Sequence, residues 1–290
     1  MFVPRKILEE KLKQLLSQDI GLGDVTAAAV VPSGLTAEAA VKAKEAGTAA
    51  GVEEAVVLAE SLGLNVKTEV ADGEAFRKGQ VILKLSGDAQ TILSVERTIL
   101  NLISRMSGIA TATKRLTEKL RKAHAKAKIA ATRKTAPGLL YFDKKAVLIG
   151  GGDPHRLNLS DMVLVKDNHI AVAGSVKNAV KNAKQNASFS KKIEVEVARV
   201  TDVLKAAEAG ADIIMFDNFS PKQIKEAVGL LKRAGFLGKI LLEASGGITA
   251  DNLLEYAAAQ VDIISMGELT HSVRALDVSL EITRVENKGK

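Results

Sequence analysis

Residues 193–267 decide the fold: IEVEV (193–197), TDVLKAAEAG (201–210), DIIMFDN (212–218), SPKQIKEAVGLLKRAG (220–235), KILLEASGG (239–247), TADNLLEYAAAQ (249–260) and VDIISMG (261–267). Each apolar run is short enough for a buried strand, and the segments between them space their apolar residues as helices do. Thr201, Ser220 and Thr249 stand where helix caps are expected, and Gly210 and Gly235 close the first two helices. Continuously apolar strands separated by helices imply a parallel sheet covered by helices. The repeat suits an α/β barrel or a doubly wound sheet, and the local pattern does not choose between them.

Two more apolar runs, AKIAAT (127–132) and DMVLVKDN (161–168), extend the alternation upstream. Before residue 127 the pattern is mixed. Helices are expected over 7–16, over 52–62 ending at Gly63, and over 89–123, with a strand at VILKLSG (81–87). Val95, Ile99, Leu102, Ile103 and Met106 form one stripe of the long helix; Arg97 falls nearly opposite and points to solvent or to a neighbouring subunit.

The 290 residues are 47% apolar and 26% charged, which fits a folded α/β protein rather than a disordered chain. The net charge of +7 favours anionic partners, either polymers or small phosphates. Cysteine and tryptophan are absent, which excludes disulfides, thiolate metal sites and a cysteine nucleophile. Aromatics at 3% leave little with which to stack nucleic-acid bases, so a nucleic-acid binder is disfavoured. MFVPRKILEEKLKQ (1–14) carries charges throughout and no stretch is long enough to span a membrane, so a cytoplasmic protein is expected.

In both parallel architectures ligands gather at the C-terminal strand ends. Those ends carry Thr132, Arg133 and Lys134; Lys166 to His169; Glu194 and Glu196; Asp217 and Asn218; Glu243, Ser245, Gly246 and Gly247; and Gly267, Thr270 and His271. Ser245-Gly246-Gly247 reads as a phosphate loop leading into a helix near Thr249, or as a plain tight turn. Gly150-Gly151-Gly152 follows no clear strand and reads as a flexible loop presenting His155 and Arg156. Arg133, Lys134, His155, Arg156 and Lys166 are either a solvated face or the binding groups for a substrate with several anionic groups. Glu196 and Asp217 are salt-bridge partners, or they hold sugar hydroxyls or Mg²⁺. The four histidines make no zinc motif.

Taken in order, GLGDVT (21–26), ERTILNL (96–102), TRKTAPG (132–138), GGGDPHR (150–156), VKDNH (165–169), EVEV (194–197), FDN (216–218), EASGGI (243–248) and MGELTHS (266–272) resemble the quinolinate phosphoribosyltransferases. The resemblance implies an N-terminal α/β domain over 1–108, to which a segment at about 272–290 returns. An incomplete α/β barrel over 109–271 would carry most of the active site. It implies transfer of phosphoribosyl from phosphoribosyl pyrophosphate to quinolinate with decarboxylation, in a homodimer or larger homo-oligomer. Arg133, Lys134, His155, Arg156 and Lys166 would then surround the substrate's carboxylates and nearby phosphate, with Thr132 and His271 beside them and Arg97 entering from the partner subunit. Glu196 and Asp217 would contact ribose hydroxyls and Mg²⁺, and act in catalysis with Lys134. Ser245, Gly246, Gly247 and Gly267 would cradle the 5′-phosphate. Ala131 departs from the Asp that many members carry before TRKT. A related group linked to molybdenum transport shares the GGG-x-PHR pattern and is the alternative; the intact KDNH at 166–169 looks more like the quinolinate enzymes.

Overall fold

A computed structural model of the chain describes residues 3–287; residues 1, 2 and 288–290, at the outer ends of the expected terminal segments, lie outside it. In chain order the first elements are α1 (Arg5–Ile20), α2 (Val25–Val30), β1 (Leu35–Ala43), β2 (Gly47–Thr48), α3 (Val52–Ser61), β3 (Asn65–Thr68), β4 (Ala75–Phe76), β5 (Val81–Asp88) and α4 (Ala89–Lys122). There follow β6 (Lys128–Ala130), α5 (Leu140–Ile149), β7 (Val163–Val165), α6 (Asp167–Ala173), α7 (Val176–Asn186), β8 (Ile193–Val197), α8 (Val200–Glu208) and β9 (Ile213–Asp217). The last are α9 (Pro221–Arg233), β10 (Leu241–Ser245), α10 (Leu253–Ala257), β11 (Ile263–Ser265), α11 (Glu268–His271) and β12 (Val278–Asn287).

The chain forms two compact units. The first takes residues up to Lys114, the segment Lys145–Gly151 and the chain from Val273; the second takes Arg115–Lys144 and Gly152–Ser272. The division between these compact units falls inside α4, and the segment 145–151 packs with the first unit. The reason is packing: Lys145, midway along α5, bonds Glu54 at 2.7 Å and also Glu53, on α3, through its ammonium.

In the first unit an antiparallel sheet runs β12-β1-β5-β3, with β2 and β4 paired separately. Leu8, Leu12 and Leu16 recur on one face of α1, are buried, and pack toward α3. The α4 stripe of Ile92, Val95, Ile99, Ile103 and Met106 is wholly buried while Arg97 is exposed, as the periodicity requires. Gly150 is not part of a flexible loop. A Cβ there would lie 2.5 Å from the Ala110 carbonyl oxygen and 2.6 Å from Thr113 Cβ, so a bare backbone is needed for α5 to end against α4. Gly150→Ala is expected to destabilise this unit by about 1–3 kcal/mol, because the backbone it meets cannot yield as a side-chain tip can; chemical denaturation checks it.

The second unit is a sheet of six parallel strands in the order β6-β11-β10-β9-β8-β7. From β7 to β11 sequence neighbours are space neighbours, and β6, the first strand, pairs with the last, β11. A doubly wound sheet would reverse direction at its middle; a circular order that closes first on last is that of a barrel. Among the described residues β6 and β7 do not pair with each other, so the barrel is open at that seam, and Asp153 bridges Ala130 on the free side of β6. Val195, Ile214, Phe216, Leu242, Ala244 and Ile264 are at most 1% exposed. Ile224, Ala227 and Leu231 on α9 and Val203 and Ala206 on α8 are buried as well. Each large aliphatic so buried contributes about 1.5–3 kcal/mol.

Of the three expected caps, Ser220 forms one: its hydroxyl accepts from Gln223 N–H at 3.3 Å and the Gln223 side chain reaches back to Ser220 N–H at 2.9 Å. Thr201 lies one residue inside α8, which starts at Val200 after Arg199. Thr249 caps nothing, because α10 begins only at Leu253; Asn252 instead closes the preceding turn, its Oδ1 accepting from Thr249 N–H at 2.8 Å.

Candidate active site at the barrel mouth

Register brings the strand ends level. Asp217 pairs with Ser245, Ser245 with Ser265, and Ser265 with Ala130, so residues just beyond these positions share one rim. There lies a cavity of about 590 Å³, a volume suited to a small ligand, lined wholly by the second unit. Thr132, Arg133, Lys134, His155, Arg156, Lys166, Glu196, Asp217, Ser245, Gly246 and Gly247 all line it. Gly267 and His271 adjoin it: a Cβ on Gly267 would lie 3.0 Å from His271 Cδ2 and 3.4 Å from Lys134 Cδ. Arg97 sits in the first unit, on the exposed face of α4, and does not line the cavity.

Local structure holds the cations in place. The Thr132 hydroxyl accepts from Lys134 N–H at 3.1 Å, and the buried Thr270 hydroxyl donates to the Lys134 carbonyl at 2.8 Å, fixing the turn after β6. Arg156 is only 9% exposed. Burial and the neighbouring Arg133 lower its guanidinium's affinity for a proton, though it stays charged. Two guanidiniums so close repel each other, and an anion with several oxygens relieves that repulsion. Opposite them, Lys166 Nζ bonds Glu196 Oε1 at 2.7 Å, and Asn218 Nδ2 donates to Asp217 Oδ1 at 3.1 Å. His169, at the same strand end as Lys166, serves the backbone: its Nδ1 accepts from Lys166 N–H at 2.9 Å.

The glycine loop differs from its expectation in one respect. With α10 starting at Leu253, Gly246 and Gly247 form a free-standing turn rather than the mouth of a helix. Gly246 has φ +93° and a Cβ there would lie 2.2 Å from Asn218 Oδ1, so both its conformation and its neighbour demand glycine. Asn252 Nδ2 donates to the Gly247 carbonyl at 3.0 Å and holds the turn from behind.

Two features escaped the sequence reading. Lys144 on α5 is fully buried and its Nζ donates to the Pro154 carbonyl; burial lowers it to about 8. The second is a trio set into the cavity wall, of which His155 and Glu243 line the cavity. His155 Nε2 donates to Glu243 Oε2 at 3.2 Å and lies 3.3 Å from Glu194 Oε2, both carboxylates being 0% exposed. Burial opposes charge on His155 while its contacts with Glu194 and Glu243 favour it, which holds a proton on Nε2 between the two carboxylates; burial also raises Glu194. Arg156 N–H points at His155 Nδ1 from 2.8 Å, so a proton on Nδ1 would meet another hydrogen, and the ring proton belongs on Nε2, facing the carboxylates. The available signal was Glu194 standing two residues before Glu196 in an apolar strand, on the same face but deeper.

Comparisons with known proteins agree along the whole chain. Residues 24–107 match the quinolinate phosphoribosyl transferase N-terminal domain and residues 109–281 the C-terminal domain. A relative from Methanocaldococcus jannaschii, named probable nicotinate-nucleotide pyrophosphorylase (carboxylating), is 47% identical over 279 residues, covering 95% of this chain and 97% of its own. A Bacillus subtilis relative of the same name is 41% identical, covering 95% and 93%. The solved nicotinate-nucleotide pyrophosphorylase of Francisella tularensis superposes with a TM-score of 0.87 at 35% identity, covering 97% of this chain and 98% of that one. With both domains matched in order and with relatives of this identity spanning nearly its full length, the chain belongs to the quinolinate phosphoribosyl transferase family.

Proposed function

We propose that this chain transfers the phosphoribosyl group of phosphoribosyl pyrophosphate to quinolinate, releasing pyrophosphate and carbon dioxide and forming nicotinate mononucleotide for NAD biosynthesis. The observation that carries this reading is a single cavity that gathers Arg133, Lys134, Arg156 and Lys166 with Glu196, Asp217 and the Gly246-Gly247 turn. In this assignment the guanidiniums of Arg133 and Arg156 grip the substrate's carboxylates, supported by His155 and Thr132. The glycine turn with Ser245 and Gly267 receives the 5′-phosphate, and Lys134 with His271 faces the departing pyrophosphate.

The pyridine nitrogen forms its bond to the anomeric carbon as the bond to pyrophosphate breaks, the electron pair leaving with the pyrophosphate oxygen. Positive charge builds on the ribose at that moment, and Glu196 and Asp217 stabilise it from fixed positions. The new pyridinium then withdraws electrons from the neighbouring carboxylate, whose bond to the ring breaks; the pair stays on the ring carbon, which takes up a proton. No covalent nucleophile is needed, and the protein's work is orientation and charge placement.

The donor set fits Mg²⁺, which favours one or two carboxylates plus substrate phosphates. Glu196 and Asp217 would hold it, directly or through water or substrate, and it would neutralise charge on the pyrophosphate. A cytoplasmic homodimer or larger homo-oligomer completes the proposal, with the exposed Arg97 reaching the site of the partner copy. Among the described residues no helix is long and apolar enough to cross a membrane. Incubating the protein with quinolinate, phosphoribosyl pyrophosphate and Mg²⁺ is expected to yield nicotinate mononucleotide and one carbon dioxide per turnover. Absence of product across pH and metal conditions would refute the assignment.

A further inference from the structure

We propose that Glu243, backed by Glu194, is a positioning residue that acts through His155 on Arg156. The assignment of Arg156 to the substrate's carboxylates rests on the function proposed above; the positioning itself rests on geometry. Segment 153–156 fills the open seam beside β6, and its polar groups are tied down one after another. Asp153 N–H donates to the Ile129 carbonyl at 2.8 Å, and Asp153 Oδ1 accepts from His155 N–H at 2.7 Å. Lys144 holds the Pro154 carbonyl. His155 adopts φ +53°, a left-handed conformation that a residue with a Cβ keeps only where its surroundings enforce it.

The ring of His155 then links the barrel interior to the cavity. Its Nδ1 accepts the Arg156 N–H at 2.8 Å, which requires a lone pair there and places the ring proton on Nε2. That proton faces Glu243 Oε2 at 3.2 Å, so the carboxylate selects the tautomer that lets Nδ1 hold the Arg156 backbone. The same arrangement argues against a metal ion in the trio, although its donor atoms lie close enough to one another for one. A metal at Nε2 would move the proton to Nδ1, against the Arg156 N–H.

The fold itself does not ask for these carboxylates. Glu194 stands between Leu164 and Ile213, and Glu243 between Met215 and Ile263, so apolar side chains would suit both positions. Instead two carboxylates are wholly buried, and among the described residues both oxygens of Glu194 and Oε1 of Glu243 have no hydrogen-bond partner. Burying such groups is unfavourable. The geometry assigns that cost to holding one imidazole tautomer and, through it, one guanidinium.

The test compares Glu243→Leu, Glu194→Leu and Glu243→Gln with the unaltered protein by steady-state kinetics and by NMR of ring-¹⁵N-labelled histidine, His155 being one of only four. Expected for Glu243→Leu is a rise in KM for quinolinate of about tenfold to hundredfold, with KM for phosphoribosyl pyrophosphate within about twofold. The Nδ1 signal of His155 should lose its unprotonated character. Glu194→Leu should act in the same direction more weakly, and Glu243→Gln, which keeps an acceptor, should restore both readouts. An unchanged quinolinate KM with an unchanged Nδ1 signal in folded Glu243→Leu overturns the proposal, as does a parallel rise in both KM values. Should Glu243→Leu fail to fold, a protonated Nδ1 in Glu243→Gln overturns it equally. If the unaltered protein does not turn over quinolinate, the functional reading falls, while the NMR comparison still decides whether Glu243 sets the ring.

Discussion

Mixing Arg97→Ala with Arg133→Ala is expected to return activity that neither variant has alone. Arg97 is exposed on α4 and contributes nothing to its own core, so its removal should leave the fold intact. If it completes the site of a partner copy, losing a charge-assisted contact to the substrate should cost activity by about a thousandfold. Arg133 lines the cavity of its own copy, and its loss should be comparably severe. After subunit exchange about half of the dimers are hybrids, each with one undamaged site and one doubly damaged, giving about a quarter of full activity. The measurement is the product assay on mixtures, with exchange verified by mass-tagged subunits. Verified hybrids without recovered activity would show that Arg97 serves no neighbouring site.

Asp217→Asn should be nearly as damaging. The side chain is half-buried at the end of β9 and accepts from Asn218 Nδ2. An amide of the same shape keeps the packing and loses the charge. Since that charge counts most while the ribose carbon is cationic, the loss should appear in kcat, by about a hundredfold to a thousandfold, more than in KM. The melting temperature should move little, because a half-exposed carboxylate with one neutral partner contributes little to stability. A kcat within about fivefold of the unaltered value would remove Asp217 from the catalytic group.

What the sequence made legible was what short-range physics writes into it. The alternation of apolar strands and helices over 193–267 follows from burial on both sheet faces, and the exposure of Arg97 follows from helical angle alone. Ser220 was readable as a cap because Gln223 stands three residues on, where a capping box needs it. The other two differ: helix α8 begins one residue before Thr201, and Asn252, three residues after Thr249, accepts from its N–H to close a turn while α10 starts only at Leu253. Barrel and doubly wound sheet share one local pattern, and only the pairing of β6 with β11 separates them. Long-range contact likewise hid the trio. Nothing near His155 in the chain announces Glu194 or Glu243, which meet it across the barrel interior, and Lys144 reads as an ordinary surface charge until α5 is packed.

The circular strand order also sets a timetable for synthesis. Strand β6 leaves the ribosome early, but its sheet partner β11 is among the last segments made, since Lys128 pairs with Ile263. The strands from β7 onward can add to one another as they emerge, each beside its predecessor. β6 must wait, and the rim that carries Thr132, Arg133 and Lys134 waits with it. Joining ends so far apart carries a large loop-closure cost before any contact rewards it, so closure on β6 is the natural slow step of folding. A nascent chain stopped short of residue 263 therefore holds most of a sheet and none of a working mouth.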